Sequence, residues 1–341
     1  GLKYLTFLRI TDDMIPYARQ RVMAAPFWWQ PCPERIALHR RQITELFLAL
    51  ILAGVSDEVR MNLRKSSFDA WQCSDAHMLA YIRQMFIDLD LVANFHIDEQ
   101  ILRNFLIKVY YNYNFVPFHN FRHCFSVTQM MYTLIWTLDL RSQLDHVDIF
   151  TLMTTAICHD LDHPGYNNNF QQATETNLYK RHKESPLEHH HVEVAMEILN
   201  DESCGIDQFL PPERRQPFRD LMTKIILATD LVKSKDILNA VNAITELDLT
   251  NDEHKHALMT ALIEVSDISN EARDLHISER WLDCLLQEFF TQHEVETADG
   301  LSPTPFMDKD KVTKPSAQIG FIIGMLLPIL GAVKRFFPSI Q

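Results

Sequence analysis

Apolar residues recur three and four positions apart along most of this chain. Met78, Tyr81, Ile82, Met85 and Phe86 follow that spacing, as one buried helical face requires. The same period predicts a helix over residues 117–140, opened by a proline near its first turn and turning Phe121, Phe125, Met131, Ile135 and Leu138 inward. A second is expected over 148–158, with Ile149, Leu152, Met153, Ala156 and Ile157 on its apolar side and Pro164-Gly165 as its stop. Ser185-Pro186-Leu187-Glu188 has the form of a capping box and opens a third. Residues 257–265 and 281–290 carry helical period as well. Two nearly continuous apolar stretches, 43–55 with Glu45 inside it and 319–333 broken by Pro328, are too short or interrupted for a membrane span, so both are expected to be buried helices. Gly320 and Gly324 form a GxxxG in the second, expected to serve close packing inside the domain. With no hairpin signal and no repeat, the fold class is all-α, a compact multi-helix body.

Composition supports this. Glycine makes up 8 of 341 residues, about 2% where roughly 7% is usual. No GxGxxG or GxxxxGK occurs, so dinucleotide and P-loop readings lack the backbone device that cradles phosphate. Six scattered cysteines without a CxxC pair argue for reduced thiols rather than a zinc ribbon or a disulfide framework. A net charge of −13 argues against a nucleic-acid surface. Residues 2–32 have no clear periodicity, while 35–63 read as a connecting helix. The chain opens at Gly1 with no methionine or signal-like segment, which reads as a fragment of something longer.

The chemistry-bearing residues are clustered. His119 and His123 lie four apart and are expected on one face of the same helix. His159-Asp160 closes the next helix and is followed by Asp162 and His163, so one turn carries two imidazoles and two carboxylates. Buried groups of this kind need partners or a cation, whereas a solvated helix end is the plain alternative. Asp267 follows an apolar helical stretch and by itself reads equally as an N-cap.

The order His119-Asn120-Phe121-Arg122-His123, then His159-Asp160-Leu161-Asp162-His163-Pro164-Gly165, then a distant lone Asp267 resembles the class I cyclic nucleotide phosphodiesterases. Glu188-His189-His190-His191, Leu227-Ala228-Thr229-Asp230 and Gln318-Ile319-Gly320-Phe321 extend the likeness. The resemblance implies residues 1–54 as an N-terminal extension or linker, partly helical, and 55–341 as the catalytic domain, an HD-type fold with a binuclear metal site between helices. Within the family the chain is most similar to the cyclic-GMP-specific type 9 branch. The leading residues are expected to connect to an upstream regulatory or membrane module, such as the photoreceptor of a rhodopsin and phosphodiesterase fusion. That places the enzyme in the cytoplasm or at the cytoplasmic side of a membrane, and leaves a homodimer open.

The family pattern also implies roles. His123, His159, Asp160 and Asp267 would hold a first metal, for which nitrogen and carboxylate donors suggest zinc. Asp160 would bridge to a second, magnesium or manganese, whose waters are steadied by His163, Glu188 and Thr229. For Glu188 the capping box offers a purely structural account. Two cations sharing a water lower its pKa and give a hydroxide that attacks phosphorus, while His119 protonates the departing 3′ oxygen and a nucleoside 5′-monophosphate results. The cations also explain how an acidic protein takes an anionic substrate. Gln318 would hydrogen-bond the purine edge and Phe321 stack on its face, with Glu271, Asn270, Leu285 and Phe306 completing the pocket. A carboxylate at Glu271 suits guanine's donor edge, so cyclic GMP is preferred, with dual cyclic GMP and cyclic AMP hydrolysis as the alternative. Phe289, Leu231 and Pro315 depart from the type 9 pattern and bear on the fine shape of the base pocket. Two rivals remain: a carboxylate-bridged di-iron bundle, from the ExxH spacings at Glu188–His191 and Glu253–His256, and a nucleotide-binding module without catalysis.

Overall fold

A computed structural model describes residues 33–338 of the chain. The described residues form helices joined by short loops, with no strand among them. In chain order the α-helices are α1 Pro33–Ala53, α2 Asp57–Asn62, α3 Asp75–Asp88, α4 Leu91–Phe95, α5 Glu99–Tyr111, α6 Phe121–Thr137, α7 His146–Cys158 and α8 Asn168–Ala173. They continue as α9 Asn177–Arg181, α10 Pro186–Asn200, α11 Pro212–Ala228, α12 Ser234–Ala243, α13 Asp252–Asp267, α14 Leu275–Ala298, α15 Lys314–Phe321 and α16 Leu327–Lys334. The sequence reading of residues 2–32 falls outside the described residues.

Two helices run through the centre. α7 buries every residue from Val147 to Cys158, and α6 is buried from His123 to Ile135. Helices apolar all round belong inside a large core. They pack on each other, α13 packs on α6, and α11 packs on α7. Polar side chains within α6 bond backbone: Gln129 donates to the carbonyls of Leu63 and Lys65, and Thr128 to that of Cys124. On the outside, α1 lies on α3 and sends Ile43 and Phe47 into the same core, while its Arg40 donates to Tyr113 O at 3.0 Å.

Several expectations from the sequence are corrected. The helix expected over 117–140 starts only at Phe121 and ends at Thr137. Asn120 takes an extended conformation and its Oδ1 accepts from the N–H groups of Arg122 and His123, an N-cap whose loss costs about 1 kcal/mol. His119 therefore precedes the helix rather than sharing a face with His123. Ser185 does not form a capping box: at φ 45° its hydroxyl turns away and donates to Asp230 Oδ2 at 2.8 Å. A true capping box occurs at Thr313 and Ser316, and it accommodates Pro315 in the first turn of α15. Asp267 is the last residue of α13, not the N-cap of a later helix.

The two apolar stretches are not simply buried. Leu46, Leu48 and Leu52 of α1 face solvent. From Lys314 to Lys334 the helix continues through Pro328, because a π-helical segment Ile322–Leu326 shifts the hydrogen-bond register just before the proline, at the start of α16. Ile319, Ile323 and Leu327 are more than half exposed on it. Nothing lies within 4 Å of a Cβ built on Gly320 or Gly324, so their GxxxG does not serve packing inside the domain.

Candidate metal centre and active site

Three helix ends converge on one point. His123 stands in the first turn of α6, His159 caps the C-terminus of α7 with Asp160 next to it, and Asp267 closes α13. One ligand atom from each of the four lies within 4.8 Å of every other. His123 Nε2 is 3.0 Å from Asp267 Oδ1 and 3.3 Å from Asp160 Oδ2, and His159 Nε2 is 3.2 Å from Asp160 Oδ2. The two Nε2 atoms face each other at 3.3 Å. Nδ1 of His159 is 2.9 Å from the carbonyl of Ala156; donating there, the ring keeps the Nε2 lone pair for the centre. Two imidazole lone pairs and two carboxylates in a buried space fit a dication, which joins donors that otherwise hold only protons between them. Burial raises the Asp160 and Asp267 carboxyls, but neighbouring His159 and the bond from His123 outweigh it and hold both below the ordinary range. Metal uptake would displace those protons.

Beside this centre lie the groups expected to steady a second ion. His163 stacks on His119 with ring centroids 4.0 Å apart, and its Nδ1 accepts from the N–H of Gly165. Its remaining Nε2–H is then a donor. Burial and the neighbouring His119 hold the ring well below its usual value, in the neutral form. Gly165 is needed for that turn, because φ is +79° and a Cβ would meet Val116 Cγ1 at 3.1 Å. Glu188 is held by Asn168, whose Nδ2 lies 2.9 and 3.2 Å from its two oxygens and whose Oδ1 accepts from the Leu187 N–H. Burial, with Asp230 nearby, raises Glu188 to about 7. This contact explains Glu188 where the capping box does not. Thr229 caps α11 and its hydroxyl donates to Ile226 O, one residue before Asp230 of the same network. Asp162, at φ 59°, is pinned by Asn114 and His190 and fixes the loop that carries His163.

His119 meets a partner that sequence reasoning missed. Its Nδ1 bonds Oε1 of Glu288, from α14, while Glu288 Oε2 accepts from the N–H groups of Phe118 at 2.9 Å and His119 at 3.2 Å. The carboxylate therefore fixes both the ring and its backbone. Burial opposes a charge on His119, yet Glu288, Asp160 and Asp267 together raise it to about 9. The ring's Nε2–H is left over as a donor. Nothing local in the sequence distinguishes Glu288 from an ordinary helical glutamate; the spacing Trp281, Leu285, Glu288 places it on the face of α14 that meets Phe118 and His123 through Trp281. Asn168 lies three residues past the Gly165 that ends the motif, and its role comes from the Glu188 contact alone.

The residues expected at the base lie farther along the chain. Gln318 Nε2 donates to Glu271 Oε2 at 2.6 Å, so the amide orientation is set by that carboxylate. Asn270 is buried beside Glu271 in the 3₁₀ turn Ser269–Ala272. Phe289 meets Phe306 edge-on at 5.9 Å, and Phe306 is exposed. Phe321 packs half-buried against the core three residues after Gln318, and Leu285 is half-buried three residues before Glu288. Among the described residues the two ExxH pairs do not assemble into a metal cluster, which removes the di-iron bundle.

The sequence profile of the 3'5'-cyclic nucleotide phosphodiesterases matches residues 118–341. The mouse (Mus musculus) high affinity cGMP-specific 3',5'-cyclic phosphodiesterase 9A is 45% identical over 289 residues, covering 84% of this chain and 54% of that protein. Its Drosophila melanogaster counterpart is 42% identical, over 88% of this chain and 20% of its own length. The chain thus spans about half the length of the mouse relative. Among solved structures, the phosphodiesterase domain of the RhoPDE fusion protein from the choanoflagellate Salpingoeca rosetta superposes with a TM-score of 0.78 at 29% identity, covering 82% of this chain and 90% of that one.

Proposed function

This chain belongs to the 3'5'-cyclic nucleotide phosphodiesterase family, and on that ground we propose that it hydrolyses the 3′-phosphoester bond of a cyclic nucleotide, preferably cyclic GMP, to the nucleoside 5′-monophosphate. The observation that carries the reading is the convergence of His123, His159, Asp160 and Asp267 next to the His119–Glu288 pair. In it those four residues would hold a first dication, for which nitrogen and carboxylate donors suit zinc, and Asp160 would also serve a second, magnesium or manganese. His163, Glu188 and Thr229 would steady the water of that second ion. When bound, the cations supply a nucleophilic water of lowered pKa and offset the charge of the phosphate in an otherwise acidic protein. His119, kept protonated by Glu288, gives its Nε2 proton to the departing 3′ oxygen.

Base choice rests on Gln318 and Glu271. With the Gln318 N–H₂ committed to Glu271, the amide turns its oxygen to the ligand as an acceptor, and a guanine ring N–H matches that acceptor. In this reading Asn270, Leu285, Phe306 and Phe321 complete the base pocket. The identity to the mouse and fly cGMP-specific enzymes supports this preference. The similarity to a domain of a rhodopsin fusion supports the further reading that the enzyme works tethered on the cytoplasmic side of a membrane. Side-by-side kcat/KM for cyclic GMP and cyclic AMP with added magnesium tests the assignment. Binding without turnover would refute the hydrolase, and equal values would replace cyclic GMP preference by dual specificity.

A further inference from the structure

Arg273 is a buried cation, 6% exposed, with no ion-pair partner among the described residues. Its Nη1 donates to the carbonyls of Ser66 and Phe68, both at 3.2 Å, its Nη2 to Ser126 O at 2.9 Å, and its Nε has no partner. Asp69, the carboxylate whose charge reaches the guanidinium, spends its side chain on the N–H of Trp71 and on Gln72. Burial accordingly lowers the guanidinium to about 10. For stability alone an apolar side chain of similar volume serves as well or better, since taking a charge out of water is costly without a paired anion.

The position of the three carbonyls gives the reason for keeping it. Arg273 directly follows the 3₁₀ turn Ser269–Ala272, which carries Asn270 and Glu271 and is separated from Asp267, the end of α13, by Ile268 alone. Ser126 lies on α6, one turn beyond His123. Ser66 and Phe68 belong to the loop that brings Trp71 onto Trp281. A planar fork with several fixed donors can join three backbone segments at set angles, which a lysine or an apolar residue cannot do.

We propose that Arg273 is a positioning residue for base selection, fastening the Glu271 turn to the helix that carries His123 and so fixing the distance between the base-reading carboxylate and the metal centre. The inference rests on the reading of Glu271 and Gln318 as the base-contacting pair. Loosening the turn leaves the metal ligands and His119 in place but lets Glu271 and Gln318 drift, so ground-state discrimination falls before chemistry does.

The test compares Arg273→Met, Arg273→Lys and Glu271→Ala in the metal-loaded enzyme, with kcat and KM for both nucleotides and thermal melting. The expected result for Arg273→Met is a KM for cyclic GMP raised about tenfold with kcat within about twofold, and a cyclic GMP to cyclic AMP ratio of kcat/KM lowered about tenfold. Arg273→Lys, with one point donor in place of the fork, falls between. An unchanged ratio overturns the proposal, and so does a parallel loss of kcat on both nucleotides with a lowered melting temperature, which marks a merely structural role. If the Met variant does not fold, the Lys variant is judged on the same ratio. Glu271→Ala separates the two levels: if it leaves the ratio unchanged the base-pocket reading itself fails, and if it alone moves the ratio only the role of Arg273 fails.

Discussion

Glu288→Gln removes one charge from the active site while nearly keeping shape, and its single amide oxygen can still accept from the Phe118 and His119 N–H groups, with the amide N–H₂ then facing the ring in place of Oε1. Burial works against a charged His119, and chiefly Glu288 reverses this and brings it to about 9. A raised folded value means the acid form persists to higher pH and is lost as pH climbs through about 9. In the wild type His119 is then about nine-tenths protonated at pH 8, whereas at the unperturbed value of about 6.5 it is about 3% protonated. The variant should lose about 30-fold in kcat at pH 8 but under twofold at pH 6, where both forms are largely protonated. A pH profile of kcat from 5.5 to 9.5 with saturating magnesium measures this. The alkaline limb should move down by two units or more, and the loss should shrink steadily toward acid. A constant fold-loss at every pH, with the limb unmoved, would refute the reasoning, because Glu288 would then act on geometry alone.

Other variants test the remaining parts of the site. His119→Ala should retain its full metal content by elemental analysis yet lose roughly 10²-fold or more in kcat, as removal of a general acid does; loss of metal would move His119 among the ligands. Asp267→Ala should lose the first ion, and stoichiometric zinc in that variant would count against the four-residue centre. Asn168→Ala frees both Glu188 oxygens and should raise the magnesium concentration needed for half-maximal activity about 10-fold or more, an effect absent if Glu188 has no part in the second ion's shell.

The sequence was most informative where period and motif coincide. α6 and α7 are buried on every side, so their continuous apolar runs could be read without knowing their neighbours, and His123, His159 and Asp160 sit at their ends. Chain entry was harder to read. Pro117 resembles a first-turn proline, but Asn120 is the better cap and takes the helix start with it, leaving His119 in the preceding loop. Ser185 has capping-box spacing, yet the pull of Asp230, distant in sequence, turns its hydroxyl elsewhere. Glu288 and Arg273 are ordinary letters in amphipathic segments. Their importance lies in partners more than a hundred residues away, and no local pattern encodes that. The face of α15 and α16 was misread for a related reason, since apolar composition alone cannot tell which side of a helix finds a neighbour.

The placement of the four ligands at the ends of α6, α7 and α13 has a kinetic consequence. No short stretch of this chain holds more than two of them, so no nascent fragment can build the site locally. A cation held by all four would bind tightly only after the contacts of longest sequence separation have formed, late in folding by the usual relation between contact order and rate. Metal capture would then report on completed topology, and the ion would stabilise the finished fold without trapping its precursors.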